Sequence, residues 1–362
     1  MDRGLDTLAD LVEHLKDLYL DLWNGFKGRR STKRSYSGHC GLRCRHYSII
    51  QKPPYPHSRS AFPKPLRRQS LFDSQPKLDA EALATCRQLA GLTFPWDITR
   101  SLELALLKTF CVPSISGLLH RTGEFEQRPR KRYDDTALMV AELLRHGPDS
   151  AIGTAVIHRM NRIHGHYAIS NDDFIYVLST FVAEPIRWVE RYGWRSLTPT
   201  EQEALFRFWR HVGTRMEISD LPTTLQTLMA WNQRVEEQVF QVAPSNRLVA
   251  EATLSMLLRD WPPPLRAPLA VGLRGLLDRA TTKSLGWPSA PSWWRELLRT
   301  CLRLRSRLNF YWQELRPHRP THFYSEHPTP SYGAQFTLEQ LGPTPLLAHL
   351  NGRPPDVEEG SR

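Results

Sequence analysis

The stretch VIHRMNRIHGHY, residues 156–167, holds three histidines whose spacing separates one from the other two. Read as a helix at about 100° per residue, it aligns Ile157, Met160 and His164 at i, i+3 and i+7, with Ile163 and Tyr167 beside them. His158 falls about 120° away and His166 on the opposite side, so the three cannot converge on one metal from an unbroken helix. An imidazole on an apolar stripe needs a partner for its ring nitrogens. A metal is one such partner, and a carbonyl or hydroxyl is another.

The second group is RYDDT, residues 132–136. On a helix Arg132, Asp135 and Thr136 share a face that continues into Met139, Val140 and Leu143. A guanidinium, a carboxylate and a hydroxyl at the end of an apolar strip can polarise an oxygen or relay a proton. The same residues also make a salt-bridged helix start with Asp134 or Asp135 as cap, and both readings stand. His39, Cys40, Cys44 and His46 suggest zinc by type, but no second cysteine pair stands at finger spacing, so no zinc site is expected. The sequence contains no C-x-x-C-H, H-E-x-x-H or G-x-S-x-G element and no phosphate-binding glycine loop. Trp188, Tyr192 and Trp194 read as core.

The elements that must position these residues are helical. Three-and-four spacing predicts helices over 80–92, 99–110, 132–145, 223–241, 246–259, 268–281 and 292–315, with a short apolar piece at 115–119. Ser170 caps a helix whose first turn holds Asn171, Asp172 and Asp173, and Pro185 is expected to interrupt it about four turns on. Thr198-Pro199-Thr200-Glu201 is a capping box with proline at the first helical position. No period-two strand of convincing length occurs. The expected fold is all-α, with residues 1–26 an amphipathic helix, 27–74 a basic Pro/Ser-rich irregular segment, 75–345 one large catalytic domain and 346–362 a disordered tail.

The runs RMNRIHGHYAISNDDFIYVLSTFVAEPIRWVERYGWR and LTPTEQEALFRFWRHVGTRMEI, with LTFPWDITRSLELALLKTFCVPSISGLLHRTGEF before them, resemble the haem-dependent latex-clearing protein (rubber oxygenase) family. The likeness is closer to its fungal branch, the endoplasmic-reticulum-bound prenyl-chain oxygenases of the mycophenolic acid pathway type. It begins near Leu92 and runs, more weakly, to Gly342. The resemblance implies a globin-like helical core around haem b, with His164 as the proximal iron ligand. Arg132 and Thr136 match the first and last members of the family's distal R-x-x-K-T motif. Asp135 replaces its lysine, so a lysine-ligated resting state is not implied here. Asn161 stands where the latex enzymes have an arginine, and Arg159 and Arg162 are candidates to reach the haem propionates.

The activity so implied is O2-dependent cleavage or oxygenation of a hydrophobic isoprenoid or terpenoid-tailed substrate. The alternative is a protein of the same fold that has lost the chemistry and serves as a helical binding or scaffold module.

Composition fits that reading. The chain has 362 residues, is 40% hydrophobic and contains 11 tryptophans, enough for a large core. Five scattered cysteines do not form a disulfide framework. The net charge of +11 comes from residues 27–68, which hold 12 Lys and Arg and no acid. No specific nucleic-acid partner is therefore expected, although such a stretch suits a peripheral membrane surface. No run of about twenty apolar residues predicts a transmembrane helix, and acids near the N-terminus argue against a secretory signal. Leu5, Leu8, Leu11, Leu15, Leu18, Leu22 and Phe26 are instead amphipathic. Location stays open between the endoplasmic-reticulum membrane implied by the resemblance and the cytoplasm.

Overall fold

Proline, a hydroxyl or an aspartate at the start of most apolar runs gives a succession of helices. The computed structural model describes residues 77–315 and 321–352, which belong to one structural unit. The expectations for 1–26, 27–74, the His39–His46 cluster and 353–362 lie outside the described residues. In order, the α-helices are α1 (Ala80–Gln88), α2 (Pro95–Thr109), α3 (Pro113–Thr122), α4 (Glu124–Gln127), α5 (Pro129–His146), α6 (Ala151–His164) and α7 (Asn171–Tyr192). They continue as α8 (Pro199–Arg215), α9 (Leu225–Gln238), α10 (Pro244–Leu258), α11 (Pro263–Leu276), α12 (Arg279–Ser284), α13 (Ser292–Leu315) and α14 (Leu347–Leu350). Among the described residues no strand forms beyond one isolated bridge, Thr329 to Gly333. The fold is all-α.

Two starts follow directly from local chemistry. Thr198 accepts the Glu201 N–H at 3.2 Å while the Glu201 carboxylate accepts the Thr198 N–H at 2.8 Å, which closes the box that opens α8. Ser170 accepts the Asp173 N–H at 3.1 Å and opens α7. Three expectations are corrected. Pro185 does not interrupt α7, which runs through it to Tyr192. The proline removes one backbone bond, a loss of about 3 kcal/mol, but Ile175, Val182, Ala183, Trp188 and Val189 are all buried and hold the helix on both sides of it. The helix over 268–281 divides into α11 and α12, because Asp278 accepts the Thr281 N–H at 2.8 Å and starts a new helix. Residues 346–352, expected to be disordered, include α14, whose Leu350 is fully buried.

α7 lies at the centre, packed against α2, α8, α9 and α13, while α5 pairs with α6. The turn between α5 and α6 is tight: a Cβ on Gly153 would lie 1.9 Å from the Gly147 carbonyl oxygen, so only glycine fits. After α13 the chain returns as a C-terminal segment, residues 321–342, that lies against α5 and α6. Its His322 N–H donates to the Gly91 carbonyl at 2.7 Å. Among the described residues no single helix is long and apolar enough to cross a membrane. Only α2 and α3 taken together, bent by 96°, pass by length and composition.

Candidate active site

α6 ends at His164, not at Tyr167, and the chain turns there through Gly165. Ile157 and Ile163 are buried as the apolar stripe requires, while His158 and His166 are exposed. The His164 ring is half-buried, yet its Nδ1 is enclosed and has no hydrogen-bond partner among the described residues. Phe174, in the first turn of α7, meets the ring edge-on at 5.4 Å. Burial, reinforced by the positive charge of Arg132, pushes the His164 pKa down to about 4. At neutral pH this ring is therefore uncharged and retains a nitrogen lone pair.

Arg132 stands in the first turns of α5. Its Nη1 donates to the Thr136 hydroxyl, and that hydroxyl in turn reaches the Arg132 carbonyl at 3.3 Å. The guanidinium lies over the Phe125 ring at 5.2 Å. Burial lowers its pKa, opposed by Asp135, Tyr167 and Glu124. Glu124 is itself buried and accepts two bonds from Arg128, at 3.1 and 2.6 Å. The structure thus brings Arg132, Thr136 and His164 into one neighbourhood, with Phe125, Tyr167 and Phe174 around them.

The other candidates go elsewhere. Asp135 is buried and bonded to Lys131 Nζ at 3.0 and 3.1 Å, to the Tyr332 hydroxyl, and to the Gly342 N–H at 3.3 Å. Burial raises its pKa, against the pull of Tyr332 and Lys131. Asp134, next to it, accepts from Tyr324 at 2.8 Å and from the Ser331 N–H at 3.1 Å. Arg159 donates to the carbonyls of Leu341 and Glu339 at 2.8 Å each, and to Asn351 at 2.9 Å. Asp134, Asp135 and Arg159 therefore clasp the C-terminal segment. Asn161 donates to the Arg215 carbonyl at 3.2 Å, and Arg162 is exposed. Sequence reasoning did not find the clasp, because its bonds join residues far apart in the chain, nor Phe125 and Phe174, each of which lies on a different helix from the residue it meets. A cleft of about 750 Å³ lined by Lys108, Glu184, Arg187, Glu236 and Asp278 contains none of the candidate residues.

These features define a class: a helical protein with a neutral, partly open histidine beside a desolvated arginine. Residues 98–306 match the family described as "ER-bound oxygenase mpaB/B'/Rubber oxygenase, catalytic domain", and the chain belongs to that family. It is 28% identical over 261 residues to the ER-bound oxygenase mpaB' of Penicillium brevicompactum, covering 67% of this chain and 61% of that protein. It is 31% identical over 200 residues to mpaB of the same organism, covering 50% of this chain and 51% of the relative. To mpaB of Penicillium roqueforti it is 28% identical over 221 residues, covering 55% of this chain and 74% of the relative. The chain thus spans only 61% and 51% of the two Penicillium brevicompactum proteins.

Proposed function

We propose that the chain is a haem b-dependent oxygenase acting with O2 on a hydrophobic, isoprenoid or terpenoid-tailed substrate, in a globin-like helical core. The observation that carries the reading is His164: a half-buried, neutral imidazole whose enclosed Nδ1 has no hydrogen-bond partner among the described residues. A neutral nitrogen donor of this kind fits an iron porphyrin, and His164 would hold it. Haem, when bound, supplies the dioxygen and redox chemistry.

The chain's own residues do the rest. Arg132 keeps a positive charge in a nearly dry place, where it acts on a partial negative charge more strongly than it would in water. Thr136 fixes that guanidinium and offers a hydroxyl beside it. Phe125 and Phe174 exclude water. Arg162, exposed and uncommitted to the clasp, is the basic residue left to meet a propionate. Asp135 and Arg159 are positioning residues, since their polar atoms face the C-terminal segment. The relatives' names as ER-bound oxygenases support both the reaction class and attachment to that membrane.

The test is an ultraviolet–visible spectrum of the purified protein, oxidised and then reduced. A Soret band is expected for the native chain and its loss for His164→Ala. A native protein without a Soret band after expression with haem supplied, or a His164→Ala variant at full haem occupancy, overturns the reading. Haem bound at His164 without turnover of any prenylated substrate would favour the scaffold alternative.

A further inference from the structure

α13 shows the solvent an apolar stripe, although helices that complete a core normally hide theirs. Trp293 is 64% exposed, Leu304 56% and Tyr311 62%, and Leu297 and Leu308 lie with them. Their spacing of i, i+4, i+11, i+15 and i+18 keeps all five within about a 60° arc, along about 27 Å of helix. The opposite face is fixed inward. Arg305 is buried, pairs with Asp97 through two bonds at 3.0 and 3.2 Å, and stacks on Trp96 at 3.8 Å. Ser306 donates to the Gly193 carbonyl at 2.7 Å. Rotation of α13 to bury the stripe would break these contacts.

To one side of the stripe lie Arg307, Arg303 and Arg299, all exposed, about 40°, 80° and 120° from its nearer edge. Glu296 on the same side is paired with Arg299 at 3.5 Å. We infer that the outer face of α13 is a peripheral docking surface for an anionic lipid bilayer. An apolar face sinks into the boundary between headgroups and acyl chains, and arginines to its side meet lipid phosphates in bidentate pairs. Trp293 and Tyr311, one at each end of the stripe, are residues that favour that boundary. A second copy of the chain fits less well. Laid antiparallel on the stripe, it would set the arginine row against its own counterpart. The inference does not depend on the oxygenase reading.

The experiment uses the full chain with Cys40→Ser and Cys44→Ser, leaving Cys301, which is exposed on the edge of the stripe, to carry an environment-sensitive fluorophore. Cys86 and Cys111 are buried and do not compete. Vesicles of phosphatidylcholine, with and without phosphatidylserine, are the probe. The expected result is a blue shift at Cys301 and co-flotation with phosphatidylserine vesicles only, both weakened by salt. In unlabelled protein, Leu304→Ser with Leu308→Ser should weaken flotation at least about tenfold. Arg299→Gln, Arg303→Gln and Arg307→Gln together should weaken it on the order of a hundredfold. All five residues are exposed, and an unchanged circular dichroism spectrum verifies folding.

Three results overturn the proposal. Flotation without a shift at Cys301 assigns binding to another part of the chain, such as the basic stretch 27–68. Equal binding to neutral vesicles, unaffected by the arginine changes, removes the anionic lipid. Absence of flotation overturns it outright, and a larger mass in light scattering that the leucine changes abolish would then assign the stripe to self-association.

Discussion

At the scale of single residues, the enclosed Nδ1 of His164 gives the site a measurable acid sensitivity. The pKa of about 4 lies below that of an unfolded histidine, about 6.5, so the unfolded chain takes up the proton first. Stability contributed by the neutral ring is complete above the unfolded value, declines as the pH falls below it, and is lost below about 4. Linkage puts the full loss at roughly 3 kcal/mol for the chain without cofactor. His164→Gln should remove this contribution, so urea titrations of the two proteins would diverge between those two pH values. Superimposable profiles would show that the histidine is hydrated. The chemistry of this residue was legible because one turn-periodic stripe isolates it from His158 and His166. Asp135 was not legible in the same way. It stands about 100° from Thr136 around the helix, so one shared face has two edges, and only the Arg132–Thr136 edge meets the histidine. Arg159 is withdrawn from a propionate by its bonds to Leu341, Glu339 and Asn351, partners that lie 180–192 residues away in the sequence and leave no local signal.

At the scale of elements, starts marked by a side-chain cap were legible, whereas α2, α5, α10 and α11 begin at prolines ahead of the expected residues. Thr198 and Ser170 announce α8 and α7 by capping chemistry confined to four residues, and α13 occupies the span its periodicity predicts. Pro185 misled because a local rule met a helix buried on all sides, where packing outweighs one missing hydrogen bond. The C-terminal segment, residues 321–342, has almost no regular structure, and nothing in its composition reveals that it is clasped. Its attachment to α5 and α6 makes a quantitative prediction. Arg159→Ala leaves the Leu341 carbonyl without its donor and the Glu339 carbonyl with Asn351 alone, and should cost about 2–4 kcal/mol, read from chemical denaturation. Limited proteolysis should then cut between residues 321 and 342 before any cut appears in α7. Unchanged stability and cleavage order would mean that the remaining contacts, the bonds to Asp134 and Asp135 and Phe323 against Gly91, suffice to hold the segment.

At the scale of the whole molecule, a concentration of buried charge among the described residues lies away from the histidine. Lys108 on α2 contacts Glu184 of α7 at 3.1 Å, Glu236 of α9 at 2.9 Å and Asp278 before α12 at 3.2 Å. Arg187 joins the same carboxylates at 2.7 and 2.9 Å. The three carboxylates raise the Lys108 pKa in spite of its burial, so the lysine remains charged. Lys108→Met keeps the bulk but strands those carboxylates, and should lower stability by about 3–5 kcal/mol. Thermal unfolding would report it, and a Tm equal to the native one would indicate that water replaces the ammonium. No sequence pattern foretells this knot, since its members come from four separate stretches. The clasp on Asp134, Asp135 and Arg159 has a further consequence, for biosynthesis. The segment fastened onto α5 and α6 follows Arg132 and His164 by a long stretch of sequence. A nascent chain therefore holds both residues long before it can fasten this segment across the two helices that carry them.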